Sequence, residues 1–483
     1  MNGHLVYTIL SLIKLIAKAL TIVGILWISI DYLRVLWLRR KLPPGPFPLP
    51  LIGNHLDMRM KRPWRHWEKL SFEIYRNPMI TLWNGHRPVI CCNDAWTVSD
   101  MFEKRATIYS SRPRMVMMGD MTNTTNHNQV CLKYDDQWRT HRKLSHSVVG
   151  TQAVRAYRDF QSSETKILLE DLLTRPDNYV PAIERYSCSI VSIVGWGRRI
   201  RDINDPVAQR ALEFMEVVNA VIPGQAVMEM IPWLSELPNW INPIPKIIDD
   251  ASKRLNNFWQ EMTEEAAAMS DQANLFSKRL IRERDAGTIN CRELGNLTAN
   301  LIGGGSKRKH KKKLDRIVGQ ARLPDWSDED SLPYITATAA ETLRWRTVTT
   351  LGGLPHAPTQ DDEYRGYHIP KDTWIVGNIW AIHRNPKDYP DPDDFHPERL
   401  LWAFDIRPGL DEDGKEVKLD IFAYTASENQ RPEPFKARFI PRTPEIRDLI
   451  LKEAESARVQ LAKYDGETKV RLPEPRKSWE KAS

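Results

Sequence analysis

Phe395-His396-Pro397-Glu398-Arg399 runs directly into Leu400-Leu401-Trp402-Ala403-Phe404-Asp405-Ile406. The first five residues close a proline-punctuated loop that opens at His383-Arg384-Asn385-Pro386 and passes through Tyr389-Pro390-Asp391-Pro392. The loop delivers Arg399 at its end, available to a charge pair formed elsewhere. Such a pair stands upstream. Ser331-Leu332-Pro333 reads as a helix start, serine before an early proline, and the helix carries Glu341-Thr342-Leu343-Arg344. Glu341 and Arg344 are three apart, share a face, and leave donors over for a third group. Taken alone, Glu-x-x-Arg is a common solvated surface pair. A third motif is Trp138-Arg139-Thr140-His141-Arg142. Trp138 and Arg142 are four apart in a helix-compatible segment, so an indole N–H and a guanidinium can together hold a carboxylate or propionate. An ordinary Trp/Arg stack is the competing reading.

Around these motifs lie 483 residues, 41% hydrophobic and 27% charged, which excludes a disordered or collagen-like chain. The net charge of +7 is local. Residues 1–41 carry six Lys/Arg against Asp31 alone, and Lys307-Arg308-Lys309-His310-Lys311-Lys312-Lys313 adds six more, so acids outnumber bases elsewhere. A nucleic-acid footprint spread along the chain is excluded. Five scattered cysteines without a C-x-x-C form no disulfide framework and fit a reducing compartment. The sequons at Asn123 and Asn296 are then expected to stay unglycosylated.

Leu5 to Ile30 is apolar apart from Lys14, Lys18 and small polar residues, long enough to span a bilayer. Lys14 and Lys18, four apart, share a face from which long side chains snorkel. Arg34 and Arg39-Arg40-Lys41 follow, with no small-residue cleavage site, which argues for a retained anchor over residues 1–41 rather than a signal peptide. The trailing charge predicts a cytosolic domain over 42–483. Leu42-Pro43-Pro44-Gly45-Pro46 then reads as a semi-rigid spacer.

Within the domain, Met79–Trp83 and Pro88–Cys92 predict a β-hairpin around Asn84-Gly85. Helical patterning dominates from about 94 to 345, with stretches at 153–174, 206–221 and 250–285. Strand-like segments return at 364–370 and 373–376. The class is α+β, mainly α, with small sheets near both ends.

The anchor, the Leu-Pro-Pro-Gly-Pro spacer, Trp138-x-x-x-Arg142, Glu341-x-x-Arg344 and Phe395-x-Pro397-Glu398-Arg399 occur in the order found in microsomal cytochrome P-450 monooxygenases. The chain resembles fungal members acting in secondary metabolism or xenobiotic oxidation, from the anchor to about residue 425. The resemblance implies the P-450 fold, haem, molecular oxygen, a small hydrophobic substrate, NADPH–cytochrome P-450 reductase as electron donor, and the endoplasmic-reticulum membrane. It assigns Trp138, Arg142 and His356 to haem propionates, and Glu341, Arg344 and Arg399 to a structural triad behind the haem.

The pattern breaks twice. The family's axial cysteine belongs shortly after Arg399, yet no cysteine follows Cys291; the ligand loop and its helix are excised at 400/401. Leu297–Ser306 resembles the start of the long distal helix, but the basic run interrupts it near 306/307, where the family's acid and threonine should follow. Neither catalytic residues nor a metal ligand can therefore be assigned; Cys131, seven residues before Trp138, is the one substitute thiol to name, although a lone cysteine is usually a small buried hydrophobe. Gly303-Gly304-Gly305-Ser306-Lys307 fails the order of a phosphate loop. Three function classes follow: a haem monooxygenase impaired in this chain, a non-catalytic P-450-like ligand- or partner-binding protein (or the product of a mis-spliced transcript), and an anchored adaptor using residues 307–313.

Overall fold

The computed structural model describes residues 2–58, 61–221, 227–269, 275–302, 322–328, 341–392, 404–420, 423–425 and 430–470. The chain divides into two compact units, the first made of Met1–Pro113, Pro223–Glu236 and Leu351–Ile382, the second of Arg114–Ile222, Leu237–Thr350 and His383–Ser483.

The first unit begins with α1 (Asn2–Arg39), a single 38-residue helix whose apolar part, Leu10–Arg39, is long enough to cross a membrane. Its last turns are docked: Val35 is buried with Leu42, Met79, Trp83 and Ile375. The hairpin at Asn84-Gly85 is present as β1 (Met79–Asn84) and β2 (Arg87–Cys92), antiparallel with Met79 opposite Cys92. Gly85 supplies the positive φ of 63° that the turn requires. The predicted strand at 364–370 is instead a second hairpin, β3 (Asp362–Tyr364) and β4 (Tyr367–Ile369). Arg365 and Gly366 both take positive φ there, which folds the segment back on itself. β5 (Trp374–Gly377) pairs parallel to β2, giving the order β1-β2-β5.

The second unit is mainly helical, with α2 (Asp136–Val149), α3 (Arg158–Thr174), α4 (Tyr179–Trp196), α5 (Pro206–Ala220), α6 (Ile244–Met269), α7 (Phe276–Asp285), α8 (Cys291–Ile302) and α9 (Pro444–Leu461). The predicted stretch 250–285 is two helices, α6 and α7, and 153–174 is broken between Thr151–Arg155 and α3. The strands β6 (Phe404–Pro408) and β7 (Ala437–Pro441) pair antiparallel, a sheet that the pattern of the sequence did not announce.

Apolar faces meet in distinct clusters. Phe160 and Ile167 of α3 and Ile193 of α4 pack on Ala454, Ala457 and Leu461 of α9. The alanines let α9 approach closely. Trp196 stacks on Trp259 at 5.3 Å, joining α4 to α6. Glu164, fully buried, is held at 2.7 Å by both Arg185 and Arg199 and at 2.9 Å by Ser189. A carboxylate so placed is tolerated only because each partner compensates its lost hydration.

Candidate functional site

Glu341 and Arg344 form the ion pair that their spacing predicts. Residues 341–345 are helical, and Arg344 donates from Nε and Nη2 to the two carboxylate oxygens of Glu341, both at 2.7 Å. Its remaining nitrogen, Nη1, donates at 2.9 Å to the carbonyls of His383 and Pro392, so the proline-punctuated loop does close on this arginine. Tyr389 covers the guanidinium at 5.0 Å from its ring centre, and Arg384 donates to the Trp345 carbonyl at 2.8 Å. Arg344 is buried. His383 is half-buried beside two arginines, and desolvation first, then their charge, lowers its pKa. The third expected member, Arg399, lies outside the described residues, as do Phe395, Pro397, Glu398, the helix start at Ser331, and the basic run 307–313.

Trp138 and Arg142 sit on one face of α2. Asp135 caps the helix by accepting the Trp138 backbone N–H at 2.9 Å. Trp138 meets the edge of Tyr134 at 5.0 Å, while Arg142 is exposed and has no ion-pair partner among the described residues. The adjoining face of α2, with His141, Leu144 and Val148, is buried.

That buried face carries a device the sequence reading missed. His141 Nε2 lies 3.0 Å from Glu293 Oε1, and Gln137 donates to the same oxygen. Glu293 and Asn290 cap α8 reciprocally: the Asn290 N–H donates to Glu293 Oε2 at 2.6 Å and the Glu293 N–H to Asn290 Oδ1 at 3.0 Å. One carboxylate therefore starts α8 and clamps α2 against it. The signal was present, since Asn290-Cys291-Arg292-Glu293 has capping-box spacing, but nothing local pointed to His141. Burial lowers the His141 pKa, opposed by Glu293. Three residues after Glu293, α8 presents Asn296, whose side chain is buried and donates to the His127 carbonyl, so the sequon there is occupied by the fold.

His356 belongs to the first unit. Its backbone bridges Ile375, its ring stacks on Phe102 at 4.4 Å, and Nδ1 lies 2.9 Å from the Tyr109 carbonyl. A carbonyl only accepts, so Nδ1 carries the proton and Nε2 of the neutral ring is an acceptor. Burial, with the nearby Arg112 charge, lowers the His356 pKa to about 4. A carboxylate would have to raise that value before Nε2 could donate to it.

A P-450 haem needs an axial thiolate as well as propionate partners. Cys91 and Cys92 are buried in β2 with their thiols pushed up by burial, and burial raises Cys188 to about 11. Cys131 is buried and accepts from the Thr124 hydroxyl at 3.4 Å, while Cys291 is exposed at the first residue of α8. No group of three His, Cys, Asp or Glu suited to a metal ion occurs among the described residues. Trp138 and Arg142 carry donor types that a propionate would use, whereas the thiols of Cys91, Cys92 and Cys188, raised by burial, are unlike the thiolate such an iron needs.

The profile of the cytochrome P-450 family matches residues 43–308 and 306–404, two stretches that meet at the start of the basic run. The chain belongs to the cytochrome P-450 family. Among curated relatives it is 28% identical to cytochrome P-450 monooxygenase FrzL of Cladobotryum sp, over 86% of this chain and 90% of the relative. It is 32% identical to cytochrome P-450 monooxygenase verL of Clonostachys rogersoniana, over 76% and 73%. Cytochrome P-450 monooxygenase 58 of Postia placenta is 29% identical, over 75% and 73%.

Proposed function

We propose that this chain descends from a membrane-anchored, haem-dependent monooxygenase of fungal secondary or xenobiotic metabolism and has lost oxygen activation. The ancestral reaction inserts one oxygen atom into an apolar organic molecule, with electrons from NADPH–cytochrome P-450 reductase. One observation carries the loss: Arg399 joins Leu400-Leu401-Trp402 directly, and no cysteine follows Cys291. The two-part match of the family profile supports a second excision near 306/307. What persists is an anchored P-450-like body whose Arg344 clamp and α2–α8 clamp hold shape without chemistry. Its remaining role is binding, of an apolar ligand or of a partner.

The test uses the full chain expressed with added haem, reduced with dithionite and exposed to carbon monoxide. The expected spectrum lacks the long-wavelength Soret band of a thiolate-ligated haem. A clear band of that type would refute the reading and make Cys131 the first residue to replace. Sequencing the transcript across codons 306/307 and 400/401 distinguishes a defective paralogue from skipped exons.

A further inference from the structure

We propose that the cleft where the ends of α3 and α9 meet the segment after α4 binds a phosphate group, free or as the head of an organic monoester. The cleft lies wholly within the second unit and has a volume of about 610 Å³. Two contacts build it. The Arg199 N–H donates to the Tyr464 carbonyl at 2.7 Å, and the Arg198 side chain donates to the Gly466 carbonyl at 2.7 Å. The residues after α4 are thereby pinned to those after α9.

Four arginines line the cleft: Arg175, Arg199, Arg201 and Arg458. Three of them are already paired. Arg175 binds Asp171, Arg458 binds Glu170 and Glu455, and Arg201 binds Asp465, its Nε donating at 2.9 Å. Arg175 follows the last residue of α3 and Arg458 stands in the last turn of α9, places where the carbonyl ends of helices favour a cation in any case. Glu170, Asp171 and Asp465 are the acids of the lining, so three pairs cancel and Arg199 is the cation left over.

Arg199 is only 7% exposed. Its Nε donates to Glu164 at 2.7 Å, and the next acid, Asp465, is 3.9 Å away and already held by Arg201. Neither terminal nitrogen of Arg199 donates a hydrogen bond among the described residues. Buried donors are nearly always matched, so such a guanidinium calls for a partner. Arg185, which shares Glu164 with Arg199, repeats the pattern: it is 4% exposed, touches Asp171 at 3.4 Å, and its Nη2 is buried without a hydrogen bond. The free end of Arg199 is a planar fork that takes two oxygens of one oxyanion. A carboxylate would fill the fork alone. Phosphate has further oxygens, and exposed Arg175 and Arg201 each spend only part of their donors on their acids. A smaller adjoining cleft shares Arg175 and Arg201 but adds Asp202, whose carboxylate meets no arginine among the described residues. That acid repels an anion and places it on the Arg199 side.

The test titrates inorganic phosphate into the full chain in maltoside detergent, at neutral pH and constant ionic strength, and reads binding from broadening of the phosphorus NMR line. The parent is expected to broaden the line saturably. Arg201→Gln leaves Asp465 to claim Arg199, so binding should weaken about tenfold, the worth of one charge-assisted hydrogen bond. Asp465→Asn removes that competitor and should tighten binding about fivefold, the effect of one charge at short range in water. Arg199→Lys keeps the charge beside Glu164 but loses the fork, and should bind more weakly than the parent. If it fails to fold, the other two variants still decide. A parent that leaves the line sharp overturns the proposal. Equal broadening by the parent, Arg201→Gln and Asp465→Asn also overturns it, because the ion then binds elsewhere. Glycerol phosphate as competitor separates the two sources: displacement more potent than by inorganic phosphate assigns the cleft to an organic monoester, and less potent displacement assigns it to the free ion.

Discussion

Arg344 grips both oxygens of Glu341 at 2.7 Å and uses its third nitrogen to bind the carbonyls of His383 and Pro392, so one guanidinium joins a helix to a loop some forty residues away. All three nitrogens of the side chain donate, in four hydrogen bonds among the described residues, and Tyr389 covers its face. This is a structural use of charge: the cation is buried and paired.

Replacing Arg344 with alanine should therefore destabilise the second unit by about 3–5 kcal/mol, because Glu341 and two carbonyls lose their donor together. Urea unfolding of the full chain in detergent measures it. Lysine at 344 restores the charge but not the fork, so Arg344→Lys should recover only part of the loss. A variant Arg344→Ala that unfolds at the parental urea concentration would show that the pair is dispensable.

Gly45 faces the backbone of β1, and a Cβ there would stand 1.9 Å from the Thr81 carbonyl oxygen. The Thr81 N–H also donates to the Pro44 carbonyl at 2.9 Å, so the spacer lies on the sheet as an extra edge. Gly45→Ala should push the spacer off β1 and cost about 1–3 kcal/mol, the usual penalty for overpacking. The same substitution at Gly366, which has no heavy atom within 4 Å of an added Cβ, tests strain from its φ of +80° without a clash. A smaller loss at Gly45 than at Gly366 would contradict the close approach.

The lowered His356 pKa has a consequence for acid stability. The ring titrates at about 4 when folded, against 6.5 when unfolded, so the unfolded chain binds more protons between those values. Stability is therefore fully present above about pH 6.5 and falls as the pH drops towards about 4, by about 3 kcal/mol from this group. His356→Asn should flatten that part of the profile. Denaturant melts of parent and variant across the window check it, and parallel slopes would rule out His356 as a source.

The anchor and its trailing cations predict that residues 42–483 face the cytosol. Protease added to intact microsomes should digest the domain and leave a short protected N-terminal fragment. Full protection of the domain would reverse the orientation.

Local chemistry wrote part of this protein into its sequence. Asn84-Gly85 between apolar runs signals a hairpin, Leu5–Ile30 is apolar over a membrane-spanning length, and Glu341 and Arg344 share a face because helices repeat every 3.6 residues. Ordered motifs and a missing cysteine likewise needed no coordinates. Tertiary structure decided what those groups meet. The partners of Arg344 at 383 and 392, the clamp of His141 and Gln137 on Glu293, the pairing of β5 with β2, and the docking of Tyr32 on Pro48 all join residues distant in sequence. Such contacts leave no periodic trace, because they depend on packing that brings distant segments within about 3 Å. The tautomer of His356 belongs with them: the residue is legible in the chain, but its proton is placed by the carbonyl of Tyr109.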